Sequence, residues 1–164
     1  NVRYLDTGCK SLSGKGLTTH PYKNKIMNTI FIESPTQEEQ QFFEDKLLRF
    51  NESKIDGYSY DNFIYKIIGN SNSIAAGINC EIGGGWLYIV GIWVAEHHRG
   101  KGYGEKLLAV SEKKAMEKGC HSSYLFTYDF QAPDFYKKKG YKVFGKLDKF
   151  CDNHAKIFMK KRLA

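Results

Sequence analysis

Residues 86–104 read WLYIVGIWVAEHHRGKGYG and join an apolar run to a glycine-rich loop. The first nine of these residues, Trp86 to Val94, include no charged side chain. A run that is apolar on both of its alternating faces is typical of a strand in the centre of a sheet. Gly91 interrupts this run and indicates a β-bulge or a close approach of another backbone.

The loop that follows, Arg99 to Gly104, predicts an anion-binding site. Its three alternating glycines allow backbone N–H groups to converge on one point, and the next helix adds the positive end of its dipole. Arg99 and Lys101 add full positive charge. The G-x-G-x-G spacing matches neither the P-loop pattern nor the dinucleotide fingerprint G-x-G-x-x-G. We therefore expect a phosphate or a diphosphate at this loop.

The segments on either side of this unit predict a mixed α/β domain. In chain order they indicate a strand, a helix, three strands, a helix, a strand, a short helix and two last strands. Ser34 is the expected N-cap of the first helix, and Gln37 closes its capping box. Phe43, Leu47 and Phe50 then form an apolar stripe that we expect to face the core.

Composition and charge exclude several classes of protein. The 164 residues are 41% hydrophobic and 26% charged, which argues against disorder, and no segment approaches the roughly 20 apolar residues of a membrane span. The four cysteines are far apart and predict free thiols in a cytoplasmic protein without a metal site.

The first 26 residues differ from the rest of the chain. They hold +4 of the formal net charge of +7 and show neither a helical nor a strand period. We expect residues 1–26 to be a leader or extension and residues 27–164 to form the core domain. Since nucleic-acid-binding proteins usually carry their basic patch on the folded body, this charge does not predict a nucleic-acid partner.

Two segments resemble motifs of the GNAT superfamily of acyl-CoA-dependent N-acyltransferases. Arg99-x-x-Gly102-x-Gly104, after a hydrophobic strand, is similar to the diphosphate-binding motif [QR]-x-x-G-x-[GA]. Residues 135–141, FYKKKGY, resemble the family segment [FL]-Y-x-x-x-G-[FY]. The order of the elements also matches the family from about residue 28 to the C-terminus.

This resemblance implies a GNAT-like fold with helices on both faces of the sheet. The strand 86–94 would splay from the strand 122–128 and leave a slot for acetyl-CoA. The pantetheine arm would pair with the backbone of Ile92, Trp93 and Val94, and Lys139 would lie near the nucleotide phosphates. The diphosphate would bind the N–H groups of Arg99, Gly100, Lys101, Gly102, Tyr103 and Gly104.

The resemblance also implies catalytic roles. Tyr136 matches the tyrosine that supplies a proton to the departing thiolate, and Asp129 stands where the family commonly has an asparagine that contacts pantetheine. The base that takes the proton of the amine stays open between Glu81, Glu96 and water, with Glu96 as a candidate catalytic residue. No cysteine lies in either motif, which favours direct transfer in a ternary complex.

The sequence therefore predicts an N-acetyltransferase domain over residues 27–164. It would move an acetyl group from acetyl-CoA to an unidentified small-molecule or protein amine. A non-catalytic acyl-CoA-binding regulatory module is the alternative. We expect no metal and no nucleic-acid or membrane partner, and a homodimer is compatible with the resemblance.

Overall fold

The structure is a computed structural model that describes residues 3–4, 29–55, 60–69 and 72–163. Most of the predicted extension over residues 1–26 lies outside these ranges, so it stays a prediction. The chain divides into two compact units, Asn1–Phe50 and Asn51–Ala164.

The first unit contains two short strands and most of the first helix. β1 (Arg3–Tyr4) pairs antiparallel with β2 (Ile30–Phe31), and α1 covers Gln37–Glu52. A capping box does open α1, but its members are Thr36 and Glu39 instead of Ser34 and Gln37. The Glu39 N–H donates to Thr36 Oγ1 at 3.2 Å, and the Thr36 N–H donates to Glu39 Oε2 at 2.8 Å. The prediction placed the cap two residues too early, because several capping residues precede the helix.

The apolar stripe of α1 is present but exposed. Phe43, Leu47 and Phe50 are 66%, 65% and 60% exposed, and no side chain of α1 is buried. The expectation that this stripe faces the core stays a prediction, since α1 and the sheet belong to two units that are described separately. A helical period shows which face of a helix is apolar, whereas coverage of that face depends on distant parts of the chain.

The second unit is a six-stranded sheet with two helices, in the strand order β3-β4-β5-β6-β8-β7. The pair β5–β6 is parallel and the other neighbours are antiparallel. The predicted mixed sheet with helices, and the predicted order of elements, are confirmed. The elements are β3 (Tyr60–Ile68), β4 (Ile74–Gly83), β5 (Trp86–Val94), α2 (Tyr103–Glu117), β6 (Ser122–Tyr128), α3 (Pro133–Lys138), β7 (Lys142–Cys151) and β8 (His154–Arg162).

The core lies between α2 and one face of the sheet. The inward positions of β4 alternate as Ala76, Ile78, Cys80 and Ile82, all buried against the buried face of α2. Burial of one large aliphatic side chain contributes about 1.5–3 kcal/mol, so this layer holds α2 in place. The N-terminus of α2 is thereby fixed over the end of β5.

A β-bulge in β5 sets the geometry of the site. Asn79 pairs with Gly91 and Cys80 pairs with Ile89, so Val90 is an extra residue opposite β4. The bulge predicted from Gly91 is confirmed. Pairing between β5 and β6 runs only from Trp86–Ser122 to Ile89–Leu125, and beyond it no pair joins these two strands. The strands therefore part at the bulge, as the resemblance implied.

Candidate active site

A cavity of about 660 Å³ lies where β5 and β6 part. It brings together the end of β5, the glycine loop with the first turn of α2, and the helix α3. The first two segments follow one another in the sequence, whereas α3 comes only after α2 and β6. Each segment contains residues that the sequence analysis singled out. The lining residues are Ile92, Trp93, Val94, His98, Arg99, Gly100, Gly102, Tyr103, Gly104, Glu105, Ala132, Phe135, Tyr136, Lys138 and Lys139.

The glycine loop leaves open space at the mouth of this cavity. Gly100 and Gly102 have φ angles of 72° and 78°, a left-handed conformation that strains any other L-residue. A Cβ atom placed on either glycine would meet nothing within 4 Å. The two glycines therefore satisfy a backbone requirement and also leave room for a ligand beside the main chain.

The first turn of α2 brings backbone N–H groups to this space. Lys106 N donates to Gly102 O at 3.0 Å, so the N–H groups of residues 103–105 have no carbonyl one turn earlier within α2. By contrast, Arg99 N donates to Glu96 O at 3.1 Å within a 3-10 turn over Glu96–His98. That bond removes the Arg99 N–H from the predicted set of anion-binding amides. The remaining N–H groups and the dipole of α2 favour a negative charge at this point.

A close contact between α2 and α3 joins the two motifs. A Cβ atom on Gly104 would lie 3.6 Å from Phe135 Cζ and 3.9 Å from Ile92 Cγ2. The small residue thus lets the Phe135 ring pack against the first turn of α2. Because Tyr136 follows Phe135 in α3, this packing also fixes where its side chain enters the cavity.

Tyr136 is a buried tyrosine that lines the cavity. It is 8% exposed, and within the described part of the chain its hydroxyl forms no hydrogen bond. Burial is the main cause, and the Cys80 thiol the second, that raises the pKa of Tyr136 to about 12. The phenol is therefore protonated at neutral pH and can donate a hydrogen bond to a ligand.

Charged side chains surround the loop. Arg99 Nε donates to the carbonyl of Val94 at 3.3 Å, which ties the arginine to the end of β5. Lys139 Nζ lies 2.5 Å from Glu105 Oε1, so an ion pair joins the C-cap of α3 to the first turn of α2. Lys138 is a further cation of the lining. Sequence reasoning did not single out Glu105, whose place in the first helical turn is ordinary for a solvated carboxylate.

His98 is a second lining residue that sequence reasoning did not place here. It ends the 3-10 turn, and its ring contacts those of His97 and Tyr103 at centroid distances of 4.2 and 5.6 Å. Burial, followed by the charges of His97 and Lys101, lowers the pKa of His98. The imidazole is therefore neutral at physiological pH, and its Nδ1 is buried without a hydrogen-bond partner among the described residues.

Comparison with known proteins agrees with these motifs. Residues 25–141 match the model of the acetyltransferase (GNAT) family, which is more than half of the chain. This chain belongs to the GNAT acetyltransferase family.

Relatives of this GNAT domain support the assignment. A crystal structure of an acetyltransferase from Bacillus cereus is 31% identical, covers 80% of this chain and 96% of its own, and superposes with a TM-score of 0.72. The blasticidin-S acetyltransferase of Streptomyces morookaense is 38% identical over 46% of this chain and 56% of its own. A streptothricin acetyltransferase from Bacillus anthracis, solved with acetyl coenzyme A, shares the fold at 24% identity and a TM-score of 0.56, covering 62% of each chain.

Several of the predicted site residues do not line the GNAT cavity. Lys101 and Glu96 are exposed, and neither lines the cavity. Asp129 Oδ1 lies 2.9 Å from His154 Nδ1, and Asp129 Oδ2 accepts from the Ala155 N–H at 3.0 Å, so this carboxylate connects β6 to β8. These contacts lower the pKa of Asp129 despite its partial desolvation. The roles assigned to these three residues stay predictions.

The second carboxylate considered as a base, Glu81, lies on β4. It is half-buried beside Trp86 and Tyr88, in a separate pocket at the closed end of β5. Neither Glu81 nor Glu96 therefore lines the large cavity. Within the described ranges there is no helix long and apolar enough to cross a membrane, and no cluster of three or more potential metal ligands.

Proposed function

We propose that this GNAT domain is an N-acetyltransferase that transfers the acetyl group of acetyl-CoA directly to an amine. The observation that carries the proposal is the convergence of both motifs on one cavity. The glycine loop supplies an anion cradle, and Tyr136 supplies a protonated hydroxyl in the same cavity. The free thiols of Cys80 and Cys120 support a cytoplasmic location as part of this proposal.

The residues present fit acetyl-CoA. The volume of about 660 Å³ lies within the range of small-molecule sites, roughly 300–1,000 Å³. The loop amides after Arg99 and the side chains of Lys138 and Lys139 would hold the phosphates. Among the described residues, the backbone of Ile92 to Val94 has no strand partner on the β6 side, so it is available to the amide groups of pantetheine.

Acyl transfer requires two contributions from this chain and a route for one proton. The nitrogen of the amine attacks the thioester carbonyl, and the C–S bond breaks as the new C–N bond forms. A backbone N–H near Ile92 would stabilise the oxyanion. Tyr136 would donate a hydrogen bond to the departing sulfur, and the proton of the amine would leave through water, since neither Glu81 nor Glu96 lines the cavity.

Thiol release from acetyl-CoA, measured across a panel of amines, tests this proposal. We expect release that depends on an amine and yields the N-acetylated product by mass spectrometry. Coenzyme binding by calorimetry without turnover of any amine would instead favour a regulatory acyl-CoA-binding module. The related blasticidin-S acetyltransferase makes that nucleoside antibiotic one member of the panel.

A further inference from the structure

One imidazole lies in the coenzyme cavity between the end of β5 and the glycine loop. Ala95 N donates to Ala75 O at 2.9 Å, and His98 N donates to Ala95 O at 2.8 Å. The 3-10 turn that contains His98 is therefore anchored to β4. His98 lines the cavity and directly precedes Arg99, the first residue of the loop. Its backbone is thus held at a fixed point beside the anion-binding loop.

The ring of His98 packs against the start of α2. Its centroid lies 5.6 Å from that of Tyr103, which is the first residue of α2 and also lines the cavity. The first turn of a helix carries N–H groups without a partner inside the helix and the positive end of the dipole. The imidazole therefore adjoins the place where a phosphate is expected.

The two nitrogens of this ring have different surroundings. Nδ1 of His98 is buried and has no hydrogen-bond partner among the described residues, whereas Nε2 is not such a buried atom. Because the ring lines the cavity, Nε2 is the nitrogen that a ligand can reach. A neutral imidazole carries one N–H, and buried N–H groups without an acceptor are rarer than buried acceptors without a donor. The proton is therefore expected on Nε2.

The surroundings of His98 oppose a positive charge on its ring. Burial, followed by the charges of His97 and Lys101, lowers the pKa of His98. A protonated ring would also need an acceptor for Nδ1, and the described residues provide none. At neutral pH His98 therefore offers a ligand one N–H donor, whereas Lys138 and Lys139 bring full charge to the same cavity.

We propose that His98 is a further binding residue of the coenzyme site, and that its Nε2–H donates a hydrogen bond to an oxygen of the diphosphate. This inference rests on the proposed function and adds a side chain to the amides of the loop. The phosphate oxygen is charged, and hydrogen bonds to charged acceptors are roughly twice as strong as those between neutral groups. The contact would fix the diphosphate at the end of β5.

Three variants of His98 test which nitrogen binds. His98→Phe keeps a ring but has no donor, and His98→Asn brings its amide close to the position of Nδ1. Both should raise the Kd for coenzyme A, measured by calorimetry, at least about tenfold. His98→Gln can bring an amide N–H close to the position of Nε2 and should stay within about threefold of the wild type. A glutamine variant as weak as the phenylalanine variant, or a wild-type Kd in His98→Phe, overturns the inference.

His97→Phe is the matched control. The His97 ring is exposed and lies 4.2 Å from the His98 ring, but His97 does not line the cavity. The Kd of this variant for coenzyme A should equal that of the wild type. A tenfold loss there, as large as in His98→Phe, would assign the effect to the packing of the two rings and overturn the inference.

Thermal unfolding without coenzyme separates binding from structure. His98→Phe removes a buried nitrogen that has no partner among the described residues, so its melting temperature should be at least that of the wild type. Affinity for coenzyme A should fall in the same variant. A melting temperature that falls in parallel with affinity across the three His98 variants would identify a structural role and overturn the inference.

Fragments of the coenzyme locate the contact. Dephospho-coenzyme A keeps the diphosphate, so its Kd should rise in His98→Phe by the same factor as that of coenzyme A. Pantetheine has no phosphate and should bind both proteins equally, and a loss of its affinity would overturn the assignment to the diphosphate. A wild-type protein that does not bind coenzyme A overturns the proposed function itself. Binding without turnover of any amine overturns the proposed transfer alone and leaves the role of His98 intact.

Discussion

Replacement of Tyr136 by phenylalanine removes one hydroxyl group from the coenzyme cavity and leaves the packing of the ring. The hydroxyl forms no hydrogen bond within the described residues, so we expect the melting temperature to stay within about a degree. The reaction should slow, because the departing sulfur loses a hydrogen-bond donor. A hydrogen bond to a charged group contributes about 1.5–3 kcal/mol, which corresponds to a decrease in kcat of about 10- to 150-fold.

The pH profile separates a hydrogen bond from complete proton transfer. A phenol with a pKa of about 12 is a weaker acid than a thiol with a pKa near 8.5, so it donates a hydrogen bond and keeps its proton. The wild-type rate should therefore show no loss from Tyr136 ionisation between pH 8 and about 10.5. An alkaline loss of kcat that disappears in Tyr136→Phe would contradict this reasoning.

Tyr141→Phe is the matched control. The Tyr141 hydroxyl lies 2.9 Å from Glu112 Oε1 and 2.8 Å from Ser123 Oγ, and Tyr141 does not line the cavity. Its loss should lower the free energy of unfolding by about 1–3 kcal/mol and leave kcat at 20 °C unchanged. Thiol release, coenzyme titration and thermal unfolding of both variants test these expectations. Full activity in Tyr136→Phe, or a lost affinity for coenzyme A, would refute its assigned role.

Three further predictions follow from charge and burial. Gly102→Glu places an anion in the loop and should raise the Kd for coenzyme A at least about tenfold above that of Gly102→Ala. The alanine variant shares the backbone strain but not the charge. Equal Kd values for the two variants by calorimetry would exclude a diphosphate at the loop. Glu105→Gln frees Lys139 from its ion pair and removes a carboxylate that repels the phosphates. The Kd for coenzyme A should therefore fall a few-fold at low salt. An increase of this Kd would show that Glu105 instead positions the lysine. Burial raises the pKa of Cys80 to about 11 and that of Tyr136 to about 12. In the unfolded chain these pKa values are about 8.5 and 10. Both groups therefore add stability to the folded protein at pH values below those of the unfolded chain, and this stability is lost as the pH rises. The melting temperature should fall as pH rises from 8 to 11, and a constant value would show that these groups are not buried in solution.

The sequence by itself determined the features that depend on neighbouring residues. The strand Trp86–Val94, the bulge signalled by Gly91, and the turn from the glycine loop into α2 all follow from apolar runs and glycine conformations over a few residues. The family motifs are local in the same sense, so the sequence alone identifies them. The capping box of α1 shows the limit of this reasoning, because Ser34 and Thr36 both have a capping side chain and only the formed helix selects one.

Only the tertiary structure decided which distant segments meet. The pairing of β8 with β6, the contact of Gly104 with Phe135, and the ion pair of Glu105 with Lys139 each join segments about 30 residues apart or more. Register likewise aligns Lys66, Gly77 and Trp93 across β3, β4 and β5. Such pairings depend on burial and hydrogen bonding over the whole sheet. A short stretch of sequence therefore does not determine them.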